Sequence, residues 1–176
     1  MSVNEFMQPC REPTDAMTQK ASIAALLHEM DSRSPSGFAL ALHVQFTRPT
    51  FLFQTYAKRW MDRYSSAGMV VHDPLVHWGL QNSGRVRWSD LEAIDTHGVL
   101  ESAKDFGLMN GSCVSFVDAG SRTIGGFARA DRDFTDAEVD SLEADLRRLH
   151  RATLHMRSLS SADERALTAL SIRLTH

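Results

Sequence analysis

The sequence has few of the residues that mark disulfide-rich, metal-binding or membrane proteins. Its two cysteines, Cys10 and Cys113, are too few and too far apart for a disulfide framework or a zinc motif. Its eight histidines lack the short spacings of a metal-binding helix. No apolar run approaches the ~20 residues that cross a bilayer, and residues 1–13 do not resemble a signal peptide. We therefore expect no cofactor, no metal, no membrane partner and a cytoplasmic location.

An excess of charge of one sign is missing as well. The net charge is −3 over 176 residues and the pI is about 6.2, so the chain as a whole does not attract nucleic acid or acidic lipid. No Gly-x-Gly-x-x-Gly motif follows a predicted strand, and there is no P-loop. These absences exclude the common nucleotide-binding folds. The length fits one domain, with room for the start of another.

The periodicity of apolar residues predicts an α+β fold. A capping box at Thr135 and Glu138 opens the clearest helix, whose apolar face carries Val139, Leu142 and Leu146. About five mostly antiparallel strands are expected, with helices on both faces of the sheet. The predicted helices are 14–30, 56–66, 72–84, 98–108 and 135–156; the predicted strands are 38–46, 51–54, 85–88 and two strands around a turn at 118–121.

The segment YAKRWMDRYSSAGMVVHDPLVHW, residues 56–78, contains both tyrosines of the chain and two of its three tryptophans. On a helix, the spacing of Tyr56, Trp60 and Tyr64 places the three rings along one face. Each ring has a polar tip that needs a partner when buried, and Asp73 supplies a nearby acceptor. Aromatic residues at this spacing are most often core, and an Asp before Pro is most often a helix cap. The residues alone leave both the core and the binding-site interpretation open.

The order Tyr56-x3-Trp60-x3-Tyr64-x8-Asp73-Pro74, followed by Trp88 and Gly111, resembles the autoinducer-binding domain of LuxR-type quorum-sensing regulators. The resemblance covers roughly residues 15–157. It implies an α-β-α sandwich over residues 14–157 that encloses an N-acyl-homoserine lactone, after a flexible N-terminus of residues 1–13. It also implies a bacterial signal receptor in transcription regulation, not an enzyme, and a homodimer.

The resemblance assigns a role to each matching residue. It gives Trp60 an indole N–H bond to the lactone carbonyl, Asp73 the ligand amide N–H and Tyr56 the amide carbonyl. Tyr64 and Trp88 would wall the acyl chain and the lactone ring. Pro74 and Gly111 would have structural roles, at the helix start and at the start of a late strand. Sheet and helix residues would line an apolar tunnel, for example Leu40, Leu42, Leu52 and Val76.

Some positions depart from the family pattern, and most departures make the expected site less polar. Ala57 replaces a proline found after the first tyrosine in many relatives. Leu75 and Ala128 stand where some relatives have hydroxyl residues, and Cys113 stands at a position that is small and polar in another member. These three residues are expected at the ligand, and they leave its identity open.

Residues 158–176 resemble a linker and the opening of a LuxR-type helix-turn-helix domain, through Leu159, Ser160, Asp163, Leu167 and Thr175. A first helix alone cannot read a major groove, so DNA would be bound only through a helix-turn-helix domain that is incomplete here. An ordinary amphipathic helix fits this segment equally well. Two explanations stay open: a piece of a longer regulator, or a short form that sequesters signal or pairs with a full-length partner.

Two other classes of function compete with this interpretation. An enzyme could use Asp73 with His72 and His77 as acid and base, or Cys113 with a histidine as a nucleophile pair, but no spacing supports either. A ligand-independent interaction module would have the aromatic cluster as plain core. The run Arg147, Arg148, Arg151 and Arg157 could contact phosphate, although basic residues near a helix C-terminus are favoured by the helix dipole alone.

Overall fold

The computed structural model describes residues 13–156, with side chains described from residue 19 onward. The predictions for residues 1–12 and for the segment 158–176 therefore lie outside the described residues. Within residues 13–156, no helix is long and apolar enough to span a membrane. The same part of the chain contains no cluster of three or more His, Cys, Asp or Glu side chains that could hold a metal ion.

The described part of the chain forms five strands and five α-helices. The strands are β1 Gly37–Val44, β2 Phe51–Gln54, β3 Gly84–Arg87, β4 Asn110–Asp118 and β5 Ser121–Arg129. The helices are α1 Pro13–Arg33, α2 Lys58–Ser66, α3 Pro74–Gln81, α4 Val99–Lys104 and α5 Asp136–Thr153. Two 3-10 helices, Met69–Val71 and Trp88–Ile94, complete the set.

The strands form one sheet in the order β2-β1-β5-β4-β3, and every neighbouring pair is antiparallel. The predicted turn at 118–121 is confirmed, because Asp118 pairs with Ser121 at the end of the β4–β5 ladder. The predicted antiparallel pairing of β1 with β2 is confirmed too. The fold is therefore α+β, as predicted.

Helices α1 and α5 cover one face of the sheet and form the main core with it. The predicted capping box is confirmed: the Thr135 hydroxyl accepts from the Glu138 N–H, and the Glu138 carboxylate accepts from the Thr135 N–H. The predicted apolar stripe of α5 is buried. It packs with the bulky side chains of the strands, which are Phe38, Leu40, Leu42, Phe51, Val114, Phe116 and Phe127.

A second apolar cluster lies on the opposite face, under α2, α3, α4 and the 3-10 helix Trp88–Ile94. Its buried members include Tyr56, Trp60, Trp88 and Ala128. Half-buried apolar residues surround them, among them Ala39, Tyr64, Leu75 and Trp78. The helices on both faces make the predicted sandwich, and the aromatic segment belongs to this second layer.

Several predicted bounds were wrong, for local reasons. Helix α1 continues past residue 30 to Arg33, and β1 stops at Val44, because Phe46 has a positive φ of 57° that departs from extended backbone. His43, with a φ of 53°, lies at an irregularity inside β1. Helix α4 is shorter than residues 98–108. It ends through Gly107, whose φ of 83° lets the N–H groups of Gly107 and Leu108 bond back to Lys104 and Ala103.

Candidate ligand-binding site

The three predicted aromatic residues come together on the second layer, although only two are helical. Tyr56 lies in the link between β2 and α2, while Trp60 and Tyr64 lie one turn apart on α2 with ring centroids 5.5 Å apart. Tyr56 and Trp60 are 9% and 5% exposed. The Tyr56 hydroxyl donates to the Gly126 carbonyl oxygen over 3.1 Å. Tyr56 therefore connects the link between β2 and α2 to the central strand β5.

Trp60 packs between two other rings. Its centroid lies 5.3 Å from that of Phe106, and the Arg59 guanidinium lies over the Phe106 ring at 5.4 Å. Phe106 belongs to the turn after α4 that leads to the start of β4. Trp60, a residue of α2, thereby packs against the turn that leads into β4. Phe106 was not among the predicted site residues.

Asp73 is a helix cap and a buried acceptor at once. Its Oδ1 accepts from the Leu75 N–H at 2.8 Å, which confirms it as the N-cap of α3, and Pro74 occupies the first turn as predicted. Its Oδ2 accepts from the Tyr64 hydroxyl at 2.7 Å. Burial raises the pKa of the Asp73 carboxyl above its ordinary value, and the bond from Tyr64 opposes that rise.

The groups around Asp73 stay neutral near pH 7. Burial, and then the Asp73 charge, raise the pKa values of the Tyr56 and Tyr64 phenols and of the Cys113 thiol. Cys113 is buried, and its Sγ lies 4.0 Å from the Leu75 carbonyl oxygen. A thiol of raised pKa holds little thiolate, which argues against a nucleophilic Cys113.

Trp88 lies flat against Gly111. The ring closes on Gly111 so tightly that a Cβ there would overlap the ring, with the indole nitrogen only 2.6 Å away. Gly111 lies at the start of β4, and its lack of a side chain allows this close approach of the ring. Trp88 is 6% exposed, and its Nε1 is fully buried without a hydrogen-bond partner among the described residues.

The sheet under these rings is made of small residues. Ala39, Gly126 and Cys113 pair with one another across β1, β5 and β4, and Ala128 pairs with Gly111 one step along. We call these five residues the floor. Ala39 and Gly126 are half-buried although they lie on central strands, whereas Phe38 and Phe127 beside them face the main core and are buried. Small residues on this face let the Tyr56 hydroxyl reach the Gly126 carbonyl and let the Trp88 ring lie against Gly111.

Two of the four residues expected to line a tunnel were wrong. Leu40 and Leu42 face the main core and are 0% exposed, so they cannot line a site on the second layer. Leu52 is 56% exposed at the sheet edge. Val76 is half-buried on α3. Alternation places Leu40 and Leu42 on the same face, but the sequence does not say which face that is.

Sequence reasoning also missed Ala39 and Gly126. The signal was present in the strand GFALALHV, where small and bulky residues alternate, and in Gly126-Phe127-Ala128 of β5. Such alternation places all the small residues on one side of a sheet. The prediction relied on the aromatic residues, and it did not consider the strand residues that face them.

The groups proposed for acid–base chemistry do not converge on Asp73. His72 is exposed and stacks on His97 with ring centroids 3.7 Å apart. His77 is exposed, and its Nε2 lies 2.8 Å from the Val71 carbonyl oxygen. The arginines Arg147, Arg148 and Arg151 form ion pairs with Glu143, Asp145 and Asp118. This geometry favours a binding site over an enzyme active site.

Comparison with known families identifies the family of this domain. The family model for the autoinducer-binding domain matches residues 18–158. The chain therefore belongs to the autoinducer-binding domain family, the signal-binding domain of LuxR-type quorum-sensing regulators. This family is a class of regulator domain and not a class of enzyme.

Individual relatives agree with this assignment. The HTH-type quorum-sensing regulator RhlR of Pseudomonas aeruginosa is 36% identical over 70 residues, which span 39% of this chain and 29% of RhlR. The match thus covers less than a third of that regulator.

Solved structures share the fold at low sequence identity. SdiA in complex with octanoyl-rac-glycerol has a TM-score of 0.58 at 16% identity, and covers 95% of this chain and 80% of its own. A crystal structure of Escherichia coli SdiA has a TM-score of 0.55 at 17% identity, covering 93% and 69%. CepR2 of Burkholderia cenocepacia has a TM-score of 0.50 at 16% identity, covering 78% and 94%.

Proposed function

We propose that this chain binds an N-acyl-homoserine lactone between the floor and the helices α2, α3 and α4, as the sensor of a cytoplasmic quorum-sensing transcription regulator. The floor is the observation that carries the proposal. Five small residues in register face a cluster of rings, while the opposite face of the same strands is filled with phenylalanine and leucine. A slender apolar chain with a polar head fits a space of this kind.

The polar groups at the site match the head of such a ligand. A lactone amide has two carbonyl acceptors and one N–H donor. We assign the Trp60 indole N–H to the lactone carbonyl, the Asp73 carboxylate to the amide N–H and the Tyr56 hydroxyl to the amide carbonyl. Asp73 keeps unused lone pairs beyond its bonds to Tyr64 and Leu75. Tyr56 would exchange its bond to the Gly126 carbonyl for one to the ligand.

The acyl chain would lie along the less polar part of the site. Leu75 and Ala128 are members of the second cluster, and Cys113 lies beside Leu75. Tyr64 adds an aromatic wall next to Trp60. Because Leu75, Ala128 and Cys113 offer little hydrogen bonding, we expect that binding of the tail depends on its length and shape.

We propose a homodimer as the working state, and DNA binding through a helix-turn-helix domain for which residues 158–176 would be the linker and opening. The same sensor would also serve a short form that sequesters signal or pairs with a full-length regulator. Of the arginines proposed for phosphate contact, Arg147, Arg148 and Arg151 are already paired with carboxylates, so they do not favour DNA binding by the sensor.

Thermal unfolding with a panel of ligands tests the proposal. A lactone at a hundred times its Kd stabilises the folded state by about 2.7 kcal/mol, which corresponds to a rise in Tm of roughly 5–10 °C for a chain of this size. We expect this rise for wild type with at least one acyl-homoserine lactone, and its loss in Trp60→Phe and Asp73→Ala.

The panel includes a monoacylglycerol, since a related fold has been solved with octanoyl-rac-glycerol. The proposal would be wrong if a folded wild-type protein gave no shift with any lactone across a range of acyl lengths. A shift with monoacylglycerol alone would move the ligand class from amides to esters. A shift that persists in both variants would place the site elsewhere.

A further inference from the structure

The indole N–H of Trp88 is a buried donor without an acceptor among the described residues. Leaving such a group unpaired costs on the order of 1–3 kcal/mol, and the large majority of buried polar side-chain atoms in native structures are therefore paired. The side chains that share its cluster are mainly aliphatic, among them Leu91, Val99 and Leu100. The protein around Trp88 thus excludes water from the indole without bonding to it.

The position of Trp88 on the floor indicates where the missing acceptor lies. The indole lies over Gly111, which pairs with Ala128, whereas Tyr56 lies over Gly126 two residues along β5. Two residues of a strand span about 6.8 Å. The Trp88 ring therefore lies about one side-chain row away from the Tyr56 hydroxyl.

Trp60 lies toward the same end of the sheet, through Phe106 and the turn into β4. Two indoles thus contact residues next to the start of β4, Trp88 through Gly111 and Trp60 through Phe106, and each offers one donor and no acceptor. Asp73, the N-cap of α3, offers only acceptor atoms when ionised. A ligand that matches this set of groups carries more than one oxygen acceptor and an N–H.

We propose that the Trp88 indole N–H donates a hydrogen bond to a second acceptor oxygen in the ligand headgroup, and thereby selects a cyclic ester over a ring without oxygen. This inference rests on the proposed function and deepens it. Trp88 then acts as a donor in addition to any packing role of its ring. Gly111 makes this possible, because any larger residue would push the ring off the floor.

The test compares two ligands on two proteins by isothermal titration calorimetry. The ligands share one acyl chain, and the head is either homoserine lactone or cyclopentylamine, which keeps the amide but has neither the lactone carbonyl nor the ring oxygen. The proteins are wild type and Trp88→Phe, which keeps an aromatic ring without the N–H. We expect Trp88→Phe to weaken lactone binding about tenfold and to leave cyclopentylamide binding within about twofold.

Each outcome decides a different point. Equal losses for both ligands, or no loss for either, would overturn the donor role of Trp88 while the proposed function stands. If neither ligand binds to folded wild type, the proposed function itself fails.

A second measurement needs no folded Trp88 variant. In wild type labelled with 15N, the three indole N–H signals are assigned with Trp60→Phe and Trp78→Phe, which leaves Trp88 by elimination. We expect the Trp88 proton to move downfield with the lactone and to stay in place with the cyclopentylamide. A Trp88 signal that responds to both ligands alike would contradict the inference.

Discussion

At the scale of single residues, Asp73 is both the N-cap of α3 and a hydrogen-bond acceptor for Tyr64. Its position before Pro74 predicted a helix cap, and the Leu75 N–H confirms it. The sequence suggested Asp73 as an acceptor for the three aromatic tips, and the choice of Tyr64 among them depends on how α2 packs against α3. A carboxylate that is 6% exposed and held by two donors keeps a fixed direction. That fixed acceptor is what a ligand amide needs.

The two tyrosines should differ in their contribution to stability. Tyr64 donates to a buried carboxylate at 2.7 Å, and Tyr56 donates to a neutral backbone carbonyl at 3.1 Å. Hydrogen bonds to charged groups are the stronger kind, so we expect Tyr64→Phe to cost about 1.5–3 kcal/mol and Tyr56→Phe about 0.5–1.5 kcal/mol. Urea unfolding at pH 7 without ligand measures both. A larger loss for Tyr56→Phe would contradict this assignment of partners.

Substitution by alanine should affect stability differently at two glycines of the floor. A Cβ on Gly111 would overlap the Trp88 ring, while a Cβ on Gly126 would meet the Tyr56 hydroxyl at an ordinary 3.5 Å. We expect Gly111→Ala to destabilise the protein by about 1–3 kcal/mol through overpacking. Gly126→Ala, the matched control, should leave the unfolding free energy within about 0.5 kcal/mol. Equal effects in chemical denaturation would show that Trp88 does not depend on Gly111.

At the scale of elements, the sequence predicted what local signals control. Helix α5 begins at its capping box, and the β4–β5 turn lies at residues 118–121. Each of these rests on side chains or φ angles within a few residues. The irregularity of β1 at His43 could not be predicted, because the His43 ring contacts the distant residues Ser121 and Thr153.

His43 forms a buried pair with His150, near the end of α5. The rings of His43 and His150 lie 4.4 Å apart, and both are nearly inaccessible. Thr123 and the Asp118 carbonyl hold the two nitrogens of His150. Burial lowers the pKa of both histidines below the ordinary value. For His150, Arg147 and Arg151 act in the same direction, and the Asp118 carboxylate opposes them.

The histidine pair should make the fold sensitive to acid. A depressed folded pKa means that the unfolded chain binds protons more readily, so this stability is present above about pH 6.5 and is lost as the pH falls through the folded pKa values. We expect urea unfolding to show a smaller loss of stability between pH 7.5 and 5.5 in His150→Gln than in wild type. The exposed His155→Gln serves as the control. A loss in His150→Gln as large as that of wild type would refute the role of the pair.

At the scale of the whole molecule, the sheet separates the main core from the second apolar cluster. One face carries phenylalanine and leucine against α1 and α5, and those residues are fully packed. The other face carries Ala39, Gly126 and Cys113 under aromatic helices. Family resemblance identified the aromatic residues from the sequence. The floor became visible only with the strand register, because register is a property of the paired strands and not of any one segment.

The central claim is that the small residues of the floor leave the space that the ligand fills. The most direct test is mass spectrometry of the organic extract after purification from cells grown with an acyl-homoserine lactone. Wild type and Ala39→Leu are compared, with Ala144→Leu at an exposed position of α5 as the control. We predict lactone near one equivalent in wild type and in Ala144→Leu, and none in a folded Ala39→Leu. Equal lactone in all three proteins would contradict the account.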